Sequence, residues 1–456
     1  MNVGIIRSAS NVYVRHVDDE SIVWCPRTGG CTVLKDAHPI LSEVLWGWRS
    51  VEDIVHVVAA KFNCAEDVVR DGVEAVINEL ISQRFVEMDG GESIPDAAKD
   101  ERHERHDEDS ISYQKDEDDN WMPLGDFCER HRIPADFHLD LTDACTERCV
   151  HCYVPKEQHH FLSYELVEKA IREFRELQGF SVHITGGECM LHPDFERVCE
   201  LCKSLNINIV IFSNLTCCDA RRIAFLREIN PQFINVSLYS MSPKEHDAIT
   251  QLPGSWKKTM DTLLACEKAG VHCRIATPLL KINQNAFPEL KKFADAHHMH
   301  LVPSADIIAQ SDHGCGNLAS ACSADEMRCV MQANKELFNR YDGAKMPPCD
   351  AKVCDIGSGR LYLNAQGNYY PCDSMHDYVL GNVRENTFEE IWRGEKLEYL
   401  RGLKNKDFGA CASCESRPWC KVCPAANFNA TRNLFTPPPG HCEFAKAIRE
   451  VYGKDN

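Results

Sequence analysis

Three cysteines share one short loop, Cys145-x3-Cys149-x2-Cys152, directly after a β-prone run. Thiolates spaced this tightly suit a cubane iron–sulfur cluster, and three of them ligate only three of its four irons, which leaves the fourth open to another ligand. A zinc site or three incidental cysteines would also satisfy the loop taken alone. The chain holds twenty-five cysteines in 456 residues. It has no apolar signal segment at its start and no apolar run approaching the roughly 18 residues of a bilayer span, so a cytoplasmic location is expected. A cysteine-rich chain in that reducing setting points to metal rather than disulfides. Eight more cysteines lie in the tail: Cys349, Cys354 and Cys372, then Cys411-x2-Cys414-x5-Cys420-x2-Cys423, then Cys442.

The loop needs a scaffold that holds its open iron over a substrate. From about Ala135 onward the pattern alternates: Phe137 to Leu141 then a helix from Tyr164, Val182 to Ile184 then Phe195 to Ser204, Asn208 to Phe212 then Ala220 to Glu228. It continues with Phe233 to Leu238, Trp256 to Ala269, Cys273 to Ala276, Phe287 to His297 and His300 to Val302. Six βα units predict an α/β fold, a partial (β/α)6 TIM-like barrel with functional residues at the strand C-termini. Those ends carry Thr185-Gly186-Gly187-Glu188, Ser213-Asn214 and Ser237-Leu238-Tyr239-Ser240, with Arg274 on the fifth strand. Glycines there permit close backbone approach, although Gly187 reads equally as a turn and Ser237 as a satisfied strand hydroxyl.

The cysteine loop, the aromatic Tyr153 after it and the ordered strand-end segments resemble the radical S-adenosylmethionine (SAM) superfamily. The resemblance implies that SAM's amino and carboxylate groups chelate the open iron, and that an electron from the cluster cleaves a C–S bond to release a 5′-deoxyadenosyl radical. It also implies SAM contacts at Tyr153, Gly186, Gly187, Glu188, Ser213, Asn214, Ser237 and Arg274. The tail resembles the SPASM extension of radical SAM peptide maturases, with two auxiliary [4Fe-4S] clusters and so three clusters in all. By that resemblance the first takes Cys354, Cys372 and Cys423 with Cys349 as fourth ligand, and the second takes Cys411, Cys414, Cys420 and Cys442. The family's last pair is usually C-x3-C, and Cys420-Lys-Val-Cys423 is one residue shorter, so Cys423 and a complete first cluster are the points in question. A pair of zinc sites is the competing reading. Asp306, after the sixth strand, and Asp373, after a ligand cysteine, are candidate proton acceptors, as oxidation after hydrogen abstraction releases a proton; exposed acidic loop residues would look the same.

The remaining cysteines read as small buried hydrophobes, among them Cys199, Cys202, Cys266, Cys273 and Cys189. Cys315, Cys322 and Cys329, seven apart, are expected on one helix face.

Residues 1–90 hold three β-prone runs and then three helical patterns, the second opening at Ser50-Val-Glu-Asp53. This resembles the winged-helix, PqqD-like leader-recognition module of peptide maturases; a DNA-binding winged helix is the alternative. Residues 91–133 read as an acidic linker, in which His103 and His106 are ordinary tether residues, followed by the barrel over 134–325 and the SPASM domain over 326–456. Fifty basic against sixty-nine acidic residues, net charge −19, argue against a nucleic-acid partner.

Together these resemblances imply a peptide maturase that installs an intramolecular crosslink, thioether ahead of carbon–carbon, in a ribosomal precursor bound through its leader. An electron donor such as flavodoxin or ferredoxin would serve it. Oxidation, decarboxylation or epimerisation without a crosslink is the second expectation, and a redox-sensing DNA-binding regulator the third.

Overall fold

The computed structural model describes residues 5–9, 11–45, 47–89, 124–154, 159–305, 307–310, 314–341, 343–375, 377–438 and 440–453. Most of the expected linker, with His103 and His106, lies outside them, as does Asp306. The chain forms two compact units, divided after Ile133.

The first unit contains β1 (Ile5–Ser8), β2 (Tyr13–Val17), β3 (Glu20–Cys25), β4 (Gly30–Lys35), α1 (His38–Leu45), β5 (Arg49–Ser50), α2 (Val51–Phe62), α3 (Glu66–Ser82), β6 (Val86–Met88) and α4 (Leu124–His131). β2, β3 and β4 form an antiparallel meander, while β1 is flanked by β5 and β6 in a second small sheet. Ser50 and Asp53 form a reciprocal capping box at the start of α2. Ile54 and Val55 of α2 and Ile77 and Leu80 of α3 reach the same core as Val14 and Val23. The end of the expected linker is ordered as α4, whose Arg130 and His131 both bond Glu20 of β3.

The second unit is built on β7 (Asp136–Thr142), α5 (Tyr164–Glu176), β8 (Ser181–Gly186), α6 (Phe195–Ser204), β9 (Asn208–Ser213), α7 (Ala220–Ile229), β10 (Phe233–Ser237), α8 (Pro243–Thr250), α9 (Ser255–Ala269), β11 (Cys273–Pro278), α10 (Phe287–Ala296) and β12 (His300–Ser304). It continues with α11 (Ala324–Ala333), β13 (Arg360–Leu363), β14 (Asn368–Tyr370), β15 (Gly381–Asn382), α12 (Phe388–Trp392), α13 (Glu395–Arg401), α14 (Pro424–Thr431) and α15 (His441–Tyr452). One nine-stranded mixed sheet runs β12-β11-β10-β9-β8-β7-β13-β14-β15. Its first six strands are the expected parallel set. β13 adds to it parallel to β7, and the β14–β15 hairpin follows, so the cysteine-rich tail shares the barrel's sheet.

The strands alternate with period two. Phe137, Leu139, Val182, Ile184, Ile209, Ile211, Ile234, Val236, Ile275, Leu361 and Leu363 face the helices in one apolar core. The opposite face carries Asp136, His138, Asp140, His183, Asn235, Arg360 and Tyr362. Parallel strands buried in apolar layers on both sides read as continuous hydrophobic runs; this alternation marks a polar barrel interior. Cys199, Cys202 and Cys266 are buried in the core, with Cys273 packed against it. Cys315, Cys322 and Cys329 do not share a helix face: the Ser323 capping box starts α11 after Cys322, so only Cys329 lies on that helix.

Candidate active site

β7 ends at Thr142, whose hydroxyl donates to the His160 carbonyl and accepts the Ala144 N–H, turning the chain into the cysteine loop. The loop is then pinned from α8, because the amides of Arg148 and Val150 donate to the carbonyls of Thr250 and Ile249. The Arg148 side chain closes it internally on the Cys145 and Glu147 carbonyls. Cys145, Cys149 and Cys152 are held together: Cys152 opposes ionisation of Cys145, and both oppose that of Cys149. Burial is the larger effect: it pushes Cys145 up to about 12 and Cys149 well above the usual thiol value.

The Gly-Gly-Glu segment meets this loop backbone to backbone. Gly187 donates to Thr142 O at 2.7 Å and Glu188 to Ala144 O at 2.8 Å. A Cβ on Gly186, at φ +130°, would lie 2.1 Å from Thr142 O, and one on Gly187 2.3 Å from Ala144 O. Both glycines are therefore required by contact within the chain itself. Glu188 is fully buried, and its carboxylate accepts from Ser213 Oγ at 2.8 Å, Asn214 N at 2.8 Å and Met190 N at 3.1 Å. It ties the end of β8 to the end of β9. Asn214 Nδ2 in turn reaches Cys145 Sγ at 3.7 Å. Cys189 is packed away, its thiol donating to the Phe212 carbonyl.

Ser237, at the end of β10, bonds the Tyr239 hydroxyl, which lies 3.8 Å from Cys149 Sγ. Tyr153 is half-buried, near Asp140, Asp373 and Cys152. Arg274 is not brought to this end: it is the second residue of β11 and stacks on Phe233, the first of β10, at 3.6 Å. Its strand pairing sets Arg274 level with Asn235, in the middle of the sheet's polar face, and not at the strand end beside the cysteine loop. Asp373 reaches the barrel interior, 3.7 Å from His138 Nδ1. Asp140, which sequence reasoning did not single out, faces it there, bonded to the Tyr362 hydroxyl and pushed up to about 7 by burial. The strand alternation was the signal that would have found it.

In the tail, Cys354, Cys372 and Cys423 lie within one another's electrostatic reach, and burial pushes Cys354 up to about 11. Cys411, Cys414, Cys420 and Cys442 form a second such set around Arg417. Cys349, the expected fourth ligand of the first set, is exposed and lies beside Lys406. Among the described residues no three His, Cys, Asp or Glu side chains converge on one ion.

Residues 139–294 match the radical SAM superfamily, and residues 354–416 match the SPASM iron–sulfur cluster-binding domain. The chain is a radical SAM enzyme with a SPASM extension. Its cofactors are SAM and [4Fe-4S] clusters. The residues fit them: buried thiols with high proton affinity ionise when iron takes the proton's place. The enzyme is 24% identical over 326 residues to the AdoMet-dependent heme synthase of Oleidesulfovibrio alaskensis, covering 63% of this chain and 82% of that protein. It is 26% identical over 337 residues to the mycofactocin maturase MftC of Mycobacterium tuberculosis, covering 68% and 84%. Its fold is similar to that of Streptococcus suis SuiB bound to the precursor peptide SuiA, with a TM-score of 0.61 at 13% identity over 96% of this chain and 99% of that one. Among the described residues no helix is long and apolar enough to cross a membrane.

Proposed function

We propose that this enzyme matures a ribosomally made peptide: the N-terminal module, residues 1–90, captures the precursor's leader, and the barrel installs a crosslink in the core segment, a thioether ahead of a carbon–carbon bond. The observation that carries the reading is the extent of the likeness to SuiB, which spans 96% of the chain in a structure solved with its precursor peptide. Among the described residues, β2 and β4 are the outer strands of one small sheet and β5 and β6 those of the other. A leader would add there as a further strand, main-chain bonds giving affinity and side-chain pockets selectivity.

Bound at the core cluster, SAM supplies a 5′-deoxyadenosyl radical that removes a hydrogen atom from an unactivated carbon. The chain's part is positional. Cys145, Cys149 and Cys152 hold the core cluster; Gly186, Gly187 and Glu188, with Ser213, Asn214, Ser237 and Tyr153, shape the SAM site. Glu188 does so by aligning two strand ends, since its carboxylate is already bonded to the chain. Cys354, Cys372 and Cys423 would hold the first auxiliary cluster, and Cys411, Cys414, Cys420 and Cys442 the second. Asp373, 3.7 Å from His138, would take the released proton.

The test is mass spectrometry of the candidate precursor encoded beside the enzyme, after anaerobic incubation with SAM and reductant. Loss of two hydrogens with loss of thiol alkylation is the expected result. The same loss with all thiols free means a carbon–carbon bond, and loss of carbon dioxide means decarboxylation. Unchanged mass with deuterium uptake means epimerisation. Deoxyadenosine release driven by an iron porphyrin and by no peptide would overturn the peptide reading in favour of small-molecule chemistry.

A further inference from the structure

The barrel interior holds buried polar groups that neither the cysteine loop nor the strand-end contacts use. His138 and His183 are in register on β7 and β8, and their rings stack at 4.4 Å between centroids. Two residues nearer the C-terminal end of β7, Asp140 is held by the Tyr362 hydroxyl. Among the described residues, His138 Nε2, Asp140 Oδ1, His183 Nδ1 and, on β10, Asn235 Oδ1 have no hydrogen-bond partner. His138, Asp140 and Asn235 are only 7%, 3% and 6% exposed. Buried polar atoms are almost always paired, so four orphans on one face call for a bonding partner from outside the chain.

The charge there is lopsided. Asp136 lies 3.6 Å from His183 and Asp373 3.7 Å from His138. Burial drives both imidazoles toward the neutral form. Two cations share the face: Arg360, which has Asp373 and Asp136 beside it, and Arg274, which is in register with Asn235 and stacks on Phe233. Carboxylates outnumber cations in this layer, and like charges repel strongly where water is scarce.

We propose that His138, Asp140, His183 and Tyr362 are the recognition surface for the reacting segment, bonding the amide N–H groups of an uncharged peptide stretch and excluding polycarboxylates and phosphates. This rests on the peptide reading above and adds the chemistry of the segment admitted. A peptide chain supplies N–H donors at every residue, whereas a porphyrin with several carboxylates meets repulsion from Asp136, Asp140 and Asp373.

The test uses the full-length reconstituted enzyme and two probes: the precursor peptide modified in the mass assay, and a copy with one glutamate placed beside the modified residue. Asp140→Asn, with cluster absorbance as the check on folding, is expected to raise KM for the parent peptide about tenfold, the loss of one charge-assisted hydrogen bond. The glutamate copy is expected to be at least about tenfold poorer with the wild-type enzyme, and Asp140→Asn to recover part of that difference. A purely structural role for Asp140 would not produce this coupling. Tyr362→Phe should raise KM in the same direction and serves if Asp140→Asn does not fold. Equal KM for both peptides in both enzymes would overturn the proposal. If no peptide is modified at all, the peptide reading has failed instead, and titration with iron coproporphyrin III then decides the charge question: a saturable Soret shift overturns the exclusion of polyanions, and an unchanged spectrum supports it.

Discussion

At the residue scale, the active site is held by contacts too close to admit a methyl group. A Cβ on Gly187 would lie 2.3 Å from the Ala144 carbonyl, at the root of the cysteine loop. Gly187→Ala is therefore expected to displace the loop and lose the core cluster while the tail keeps its iron; iron analysis with electron paramagnetic resonance checks this, and a full complement of iron would show that the loop tolerates the methyl. Glu188 makes a different prediction. Glu188→Ala leaves Ser213 Oγ, Asn214 N and Met190 N without their acceptor. With each buried donor costing about 1–3 kcal/mol, a loss of about 3 kcal/mol or more is expected in urea unfolding, and a change within about 0.5 kcal/mol would mean that the strand ends are held elsewhere.

At the scale of elements, the six βα repeats were legible because each strand and helix declares itself within a dozen residues, by its own period. β13 was not. It is four residues long, and its partner β7 lies more than two hundred residues earlier in the chain. Only the assembled sheet shows that Leu361 and Leu363 complete the barrel's apolar layer, both at 0% exposure. A chain ending before β13 is expected to be insoluble, because β7 would present a bare edge. In the full chain, Leu363→Ala should cost about 2–5 kcal/mol. Soluble yield and thermal melting check both, and a soluble, cluster-bearing truncation would show that the barrel closes without the tail. The strand alternation was likewise present in the sequence, yet its inner face could not be assigned a role until register brought His138, His183 and Tyr362 together.

At the scale of the whole molecule, leader capture and radical chemistry are proposed to reside in separate parts of the chain. The first unit runs to Ile133, and α4 is bonded to β3, so the informative deletion removes residues 1–133 rather than stopping at residue 90. The shortened enzyme is expected to release deoxyadenosine from SAM but to leave the precursor unmodified; equal peptide turnover would remove leader recognition from the proposal. What the sequence by itself determined was the chemistry: three thiols within eight residues, and a βα rhythm that orders the strand ends, are local properties, and local spacing survives in any fold. What only the tertiary structure decided was which distant groups meet. Cys354, Cys372 and Cys423 converge across some seventy residues, Arg274 falls mid-sheet beside Asn235 and not at its strand's end, and Asp140 turns inward beside Tyr362. Those outcomes depend on register and strand order, which are set by packing the entire sheet against its helices and not by any one segment.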